Sequence, residues 1–293
     1  MRINTNVSSL TAQEAAVNTN KNISSSLEKL SSGLRINKAA DDASGLAIAD
    51  KLRTQVTSIN QGVSNGNSAV ALLQIADKSM AEQSTILDTI KSKLIQANTD
   101  TTSSAGRTAI AKDVTKLLDQ LNNIAKQTNY NGTALLQAGM SSGASGTAES
   151  KGLKFQIGES TTDIISTKTI QANVSGYSLN ALKSAAKVAA SSDGATAFAK
   201  SHASAGQKAI DDAITKLNGY RGDIGSTQNQ VESAIRNLTT QATNIKNAES
   251  VIRDVDYAAE SANYNKLNII AQAGSYAISQ ANSTQQNVLR LLQ

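Results

Sequence analysis

Proline is absent from all 293 residues of the chain. A chain of ordinary composition carries it at about 5%. The proline ring removes a backbone donor and clashes with the preceding turn, so a chain without it is free to run in long, unbroken helices. The apolar spacing fits that expectation. Near the amino end, Ile3, Val7, Leu10 and Val17, then Ile23, Leu27, Leu30 and Leu34, keep to the three-and-four period of one helical face. The polar run "NTNKN" between Val17 and Ile23 has weak helix propensity, so this helix is expected to be marginal alone and ordered by packing.

From Ile59 the pattern strengthens. Ala69, Leu73, Ala76, Met80, Leu87, Ile90 and Leu94 hold a heptad rhythm that only Gln83 interrupts. Residues 98–107, "NTDTTSSAGR", read as a loop. A second heptad run through Ile110, Val114, Leu117, Leu121 and Ile124 predicts an antiparallel helix pair. Asn131 and Gly132 then supply a turn. Residues 138–152 are flexible by composition; "LKFQIG" at 153–158 alternates as a strand, with its partner expected in "TTDIISTKTIQANV". A short Ala-rich helix is expected within 178–201. Helical periodicity returns near Ala203, breaks softly at "NGYRGDIG" (218–225), and resumes at Val231. It then runs through Ala258, Ala262, Ile269, Ala273 and Ala277 to Val288, Leu291 and Leu292.

Both ends are thus helix-rich, around a small polar insert that is partly β. Many of the apolar residues are Ala, which buries little area per side chain, so the terminal helices need each other and need partners. The expectation is that they pack together and close the chain like a hairpin. Apolar residues out to Leu292 favour assembly over a free-standing bundle, whose ends fray.

Chemical machinery is scarce. The chain has no Cys and a single His, His202, in a polar stretch without ligand spacing, which reads as an incidental surface residue. No cofactor or metal is expected, and no enzyme motif is visible. Asp41 and Asp42 are adjacent on the chain and so face different sides of a helix. They are expected to carry charge near a bend, or to meet Arg35, Lys38 or a neighbouring copy. A formal charge of +5 without a basic stripe or stacking aromatics argues against nucleic acid as a partner. No run of eighteen apolar residues predicts a membrane span, and the first twenty residues lack a secretory h-region. Gly33 and Gly45 are expected weak points, where a helix ends or a neighbour approaches closely.

The segments "INTNVSSLTAQ" (3–13), "LEKLSSGLRINKAADDASGLAIADKLR" (27–53), "GNSAVALLQIADKSMAE" (66–82) and "NYNGTALL" (129–136) together resemble the amino-terminal signature of bacterial flagellins. Residues 248–293, from "AESVIRDVDYAAES" to the last Gln, resemble the carboxyl-terminal one. The resemblance implies a mainly α fold, with long antiparallel coiled-coil-like helices from both chain ends and a small β-containing insert. It implies three regions: 1–43 with 254–293 as a filament-core coiled coil, 44–140 with 203–253 as a surrounding helical bundle, and 141–202 as a short variable segment on the outer side.

The implied function is that of a non-enzymatic subunit that polymerises into the flagellar filament and transmits motor torque. A hook–filament junction protein is the alternative. Core packing would fall to Ile3, Val7, Leu10, Leu27, Leu30, Leu34, Val255, Ala262, Ile269, Ala273, Val288, Leu291 and Leu292. Implied partners are other flagellin subunits, an export chaperone on the carboxyl-terminal helix, a filament cap and hook-associated proteins. The implied location is extracellular, reached by the flagellar type III route. Many flagellins also alert a vertebrate innate receptor. Here "DTIKSKLIQA" (88–97) puts Thr89 where the family's leading Arg is usual, with Lys93 nearby and Asp113 at a position where an acid is common. In this the chain resembles the Campylobacter and Helicobacter group, which escapes that receptor.

Overall fold

A computed structural model describes residues 6–137, 152–191 and 198–291. Among them are six helices: α1 (Val7–Ser32), α2 (Ala43–Asn98), α3 (Ser104–Gln127), α4 (Asn180–Ser191), α5 (Lys200–Arg253) and α6 (Tyr257–Leu291). Two antiparallel hairpins complete the fold, β1 (Asn129–Tyr130) with β2 (Thr133–Ala134), and β3 (Lys154–Gln156) with β4 (Ile164–Ser166). The chain divides into two compact units, Met1–Thr57 with Gln241–Gln293 and Ser58–Thr240, with the dividing points inside α2 and α5. The expected flexible stretch at 138–152 lies, but for Gly152, outside the described residues.

In the unit spanning 58–240, the heptad positions of α2 are the core. Leu73, Met80, Leu87, Ile90 and Leu94 are buried with Val114, Leu118 and Leu121 of α3, Leu182 and Ala186 of α4, and Ile210 and Leu217 of α5. On α3 the buried stripe runs through Leu118 and Ala125, whereas Leu117 and Ile124 are only half-buried. Leucine at both 117 and 118 leaves that phase open in the sequence, and packing against α4 settles it. The loop between α2 and α3 is also shorter than expected. Ser103 caps α3, its Oγ accepting from the Gly106 amide at 3.1 Å, so the helix begins inside "TSSAGR".

Gln83, the interruption in the α2 heptads, is fully buried. Its Nε2 donates to the carbonyls of Leu121 (3.2 Å) and Ala172 (2.8 Å), and its Oε1 accepts from the Tyr177 hydroxyl at 2.9 Å. Burial pushes the Tyr177 hydroxyl far above its ordinary pKa, with Tyr220 adding to the effect, so it stays a donor. A buried polar side chain is tolerated when its groups are satisfied, and here one glutamine joins α2, α3 and the segment before α4.

The soft break expected at 218–225 does not occur: α5 runs straight through it. Each helical glycine costs about 1 kcal/mol relative to alanine. Burial of Leu217 just before the run and of Ile224 within it returns about 1.5–3 kcal/mol each, and Arg221 Nε pairs with Asp77 of α2 at 2.8 Å. Tertiary packing outweighs local propensity.

The two hairpins form where the sequence places them. Asn131 (φ 49°) and Gly132 (φ 80°) both take left-handed backbone, the requirement of a type I′ hairpin turn. The β3–β4 hairpin rests on α2 and α5 through Ile157, Ala69 and Val231. Gly62 of α2 is needed there, because a Cβ would sit 1.8 Å from the Ile157 carbonyl oxygen.

Candidate functional site

The unit formed by the two ends of the chain holds the features with no purpose inside a monomer. Its frame is a set of caps. Asn6 Oδ1 accepts from the Ser9 amide at 3.1 Å and starts α1. Gly33, at φ 74°, ends that helix with its amide donating to the Lys29 carbonyl at 2.9 Å. Asp42 Oδ1 accepts from the Gly45 amide at 2.9 Å and starts α2. Asp256 Oδ1 accepts from the amides of Ala258 and Ala259 and starts α6. Asp41 and Asp42, adjacent in sequence, therefore do separate structural work. Asp41 Oδ2 accepts from the amides of Lys38 (2.9 Å) and Asn37 (3.0 Å), and these two bonds hold its carboxyl below the ordinary range. Lys38 Nζ meets Glu28 Oε2 at 2.6 Å, which raises the lysine's pKa.

α1 and α6 pack antiparallel: Asn6 Nδ2 donates to the Ala281 carbonyl at 3.1 Å, and the Ser26 hydroxyl donates to the Glu260 carboxylate. Their bases are tied by a short antiparallel bridge. The Arg35 amide donates to the Arg253 carbonyl at 2.7 Å, and the Val255 amide to the Gly33 carbonyl at 3.0 Å. Arg35 Nη2 adds a bond of 2.6 Å to the Ile252 carbonyl.

The seam between these helices mixes small residues with a few large ones. On α1 the less exposed positions include Ser9, Ala12, Ala16, Thr19, Ile23, Ser26 and Leu30, which keep a three-four repeat, with Ser25, Glu28 and Lys29 beside them near its end. On α6 they include Ser261, Tyr264, Ala271, Gly274 and Ile278. Other large side chains of α1 and α6 face away from it. Val7 is 62% exposed, Ile269 66% and Tyr276 74%, with Leu10, Leu27 and Tyr257 also more than half exposed; Val251, near the end of α5, is 81% exposed.

Of the residues singled out in the sequence, Val7, Leu10, Leu27, Ala262, Ile269 and Ala273 thus lie on exposed faces, and Leu30, Leu34 and Val255 are half-buried near the seam and bridge. Ile3 and Leu292 lie outside the described residues, as do the side chains of Val288 and Leu291. Gly45 is buried beneath Ile36, whose Cδ1 would lie 2.7 Å from an added Cβ. Tyr276 and Val251 were missed by sequence reading, although Tyr276 follows Ile269 by one heptad and shares its face.

In the other unit, Thr89 is exposed on α2, its hydroxyl donating to the Thr85 carbonyl at 2.8 Å. Lys93 Nζ pairs with Asp113 Oδ2 across to α3 at 2.7 Å. His202 is exposed at the start of α5, its ring 6.1 Å from that of Phe198. Among the described residues no cluster of three metal-ligating side chains occurs, and no helix is long and apolar enough to cross a membrane.

Residues 3–141 match the model of the bacterial flagellin N-terminal helical region, and residues 207–292 that of the C-terminal helical region. The chain is 36% identical over 303 residues to a protein named flagellin from Bacillus subtilis (strain 168), covering 100% of each. It is 32% identical over 300 residues to the flagellar filament 33 kDa core protein of Treponema phagedenis, again covering 100% of each. Flagellin B of Helicobacter pylori is 51% identical over 140 residues, which are 48% of this chain and 27% of that protein.

Proposed function

The chain belongs to the bacterial flagellin family and is a structural subunit of the flagellar filament, and from that premise we propose how its end helices hold subunits together. The observation that carries the proposal is the set of large apolar side chains left uncovered on α1 and α6. The contact between the two helices takes in Ile23, Leu30, Tyr264 and Ile278 with several Ser and Ala, yet Val7, Leu10, Leu27, Ile269 and Tyr276 still face solvent. A face of that kind has little value in a monomer and much in a polymer. Neighbouring copies cover it, and a heterologous contact that does not close generates an open helical filament.

In this reading residues 1–43 with 254–293 form the filament core, 44–140 with 203–253 form the surrounding tube, and 141–202 face outward. Ile3, Val288, Leu291 and Leu292 extend the core stripe, and Gly33 and Gly45 are the points at which the chain unravels for export and re-forms on docking. The filament lies outside the cell, supplied by the flagellar type III route with a chaperone on the carboxyl-terminal helix and a cap at the growing tip. Thr89, with Lys93 engaged by Asp113, makes the chain a weak activator of the vertebrate innate receptor. Strong stimulation of a receptor reporter line by purified monomer would contradict that last point.

The test is polymerisation of purified, dissociated chain, seeded at neutral pH and viewed by negative-stain electron microscopy, beside a variant lacking residues 254–293. Long uniform filaments from the full chain and none from the truncation are expected. Filaments from the truncated chain would remove the end helices from the contact.

A further inference from the structure

The chain contains three Asn-Gly pairs, Asn65–Gly66, Asn131–Gly132 and Asn218–Gly219. In such a pair the glycine nitrogen, unhindered by a side chain, can attack the asparagine side-chain carbonyl. Attack needs the backbone between the two residues to leave both helical and left-handed geometry, so its rate follows how easily the surrounding structure opens.

The three sites differ in that respect. Asn65 lies within α2 and its side chain is held at both ends. Its Oδ1 accepts from Gln61 Nε2 at 2.9 Å and its Nδ2 donates to the Gln156 carbonyl at 3.1 Å. Gly66 beside it is covered by Ile235. Asn218 is exposed, yet it lies inside the 54-residue helix α5. Asn131 is exposed at the tip of a hairpin whose strands are two residues each, and the space beside Gly132 is open, as it is beside Gly219; what sets the site apart is the short hairpin in place of a long helix. A ladder of two residue pairs has little to hold it closed.

We propose that Asn131 is a site of spontaneous, age-dependent conversion to isoaspartate. The Gly132 nitrogen bonds to Asn131 Cγ, the Cγ–Nδ2 bond breaks, and the proton of the glycine amide leaves with Nδ2 as ammonia. Water then opens the succinimide ring. Attack at the former backbone carbonyl gives isoaspartate, and attack at Cγ gives aspartate. Either product replaces a neutral amide with a carboxylate, lowering the formal charge from +5 by one unit. Isoaspartate also reroutes the main chain through Cγ. The added carbon cannot be accommodated in a two-residue turn built on φ values of 49° and 80°, so the hairpin does not re-form. A subunit that has aged is marked at this one turn.

The experiment incubates the full chain in warm, mildly alkaline buffer, with and without denaturing urea, and follows all three asparagines by peptide mass mapping. An enzyme that methylates isoaspartate reports the product. In native buffer Asn131 is expected to convert several-fold faster than Asn218 and Asn65, and in urea the three rates converge. Asn131→Gly, which keeps a residue suited to left-handed backbone, abolishes the fast signal. A native rate at Asn131 no higher than at the equally exposed Asn218 overturns the proposal. So does a difference that persists in urea, which would place the cause in local sequence, or aspartate as the sole product, which would bypass the succinimide.

Discussion

Replacing Ile269 with alanine separates the stability of the subunit from the stability of the polymer. The side chain is 66% exposed on the face of α6 away from α1. Removing it leaves no cavity in the monomer, so urea unfolding of the free chain should be unchanged within about 0.5 kcal/mol. On the proposed assembly that face is covered in the filament. Full burial of an isoleucine is worth about 1.5–3 kcal/mol, and about two-thirds of that, roughly 1–2 kcal/mol, is available to a neighbour. Alanine's better helix propensity returns a few tenths of a kcal/mol. Since about 1.4 kcal/mol is a tenfold change in an equilibrium constant, the critical concentration for elongation should rise about three- to twenty-fold. Sedimentation of seeded filaments at a series of total concentrations measures that value directly. An unchanged critical concentration with intact monomer would refute the reasoning, because the exposed stripe would then have no neighbour. A monomer destabilised by more than about 1 kcal/mol would refute it differently, by showing the side chain to be part of the intramolecular core.

Three further outcomes follow from the same geometry. Gln83→Leu removes three hydrogen bonds and strands the buried Tyr177 hydroxyl, costing about 2–4 kcal/mol in urea unfolding; adding Tyr177→Phe should restore about 1–2 of it, and simple additivity would show the two side chains to be uncoupled. Gly33→Ala forces a Cβ to φ 74° and to 2.9 Å from the Tyr257 hydroxyl, so assembly should weaken by about 1–2 kcal/mol, with Gly33→Asn milder; equal losses would remove the left-handed argument. Asp41 has a depressed folded pKa, so its contribution is present above the unfolded carboxylate value and is lost as pH falls through the folded one. An NMR titration should place its midpoint below 3.8, and Asp41→Asn should flatten the acid limb of the stability profile.

Much of the fold was legible where a local rule had a local cause. Asn131–Gly132 announced a turn because few other pairs take left-handed backbone twice running, and the heptads of α2 announced a buried stripe because nothing else explains that spacing. Reading failed where the cause lay far along the chain. Gln83 looked like a defect because its partners lie 38, 89 and 94 residues away. The run at 218–225 looked like a break because three glycines are visible locally, whereas the burial of Ile224 and the Arg221–Asp77 pair are not.

The terminal helices expose a deeper limit. Periodicity identifies an apolar face, yet it does not say which body covers it. On α6, Ala262, Ile269 and Ala273 keep helical spacing, and so do Tyr264, Ala271 and Ile278 on the neighbouring stripe. Both stripes have a claim on α1, and the one with Tyr264, Ala271 and Ile278 takes it. The seam is mixed, with Ser, Ala and Thr beside Ile23, Leu30, Tyr264 and Ile278, while Val7, Leu10, Leu27, Ile269 and Tyr276 stay outside it. Much of the aliphatic surface stays outside that contact. On the proposed assembly neighbouring copies cover it and supply stability that the isolated pair lacks. Such an arrangement selects against a compact, self-satisfied monomer, since moving the leucines inward would strengthen the pair at the expense of the contacts between copies. It also locates the sensitive positions. Substitutions in the seam that add volume, at Ala16 for instance, push the helices apart and displace both outer stripes at once, whereas a substitution on one outer stripe disturbs a single set of neighbours.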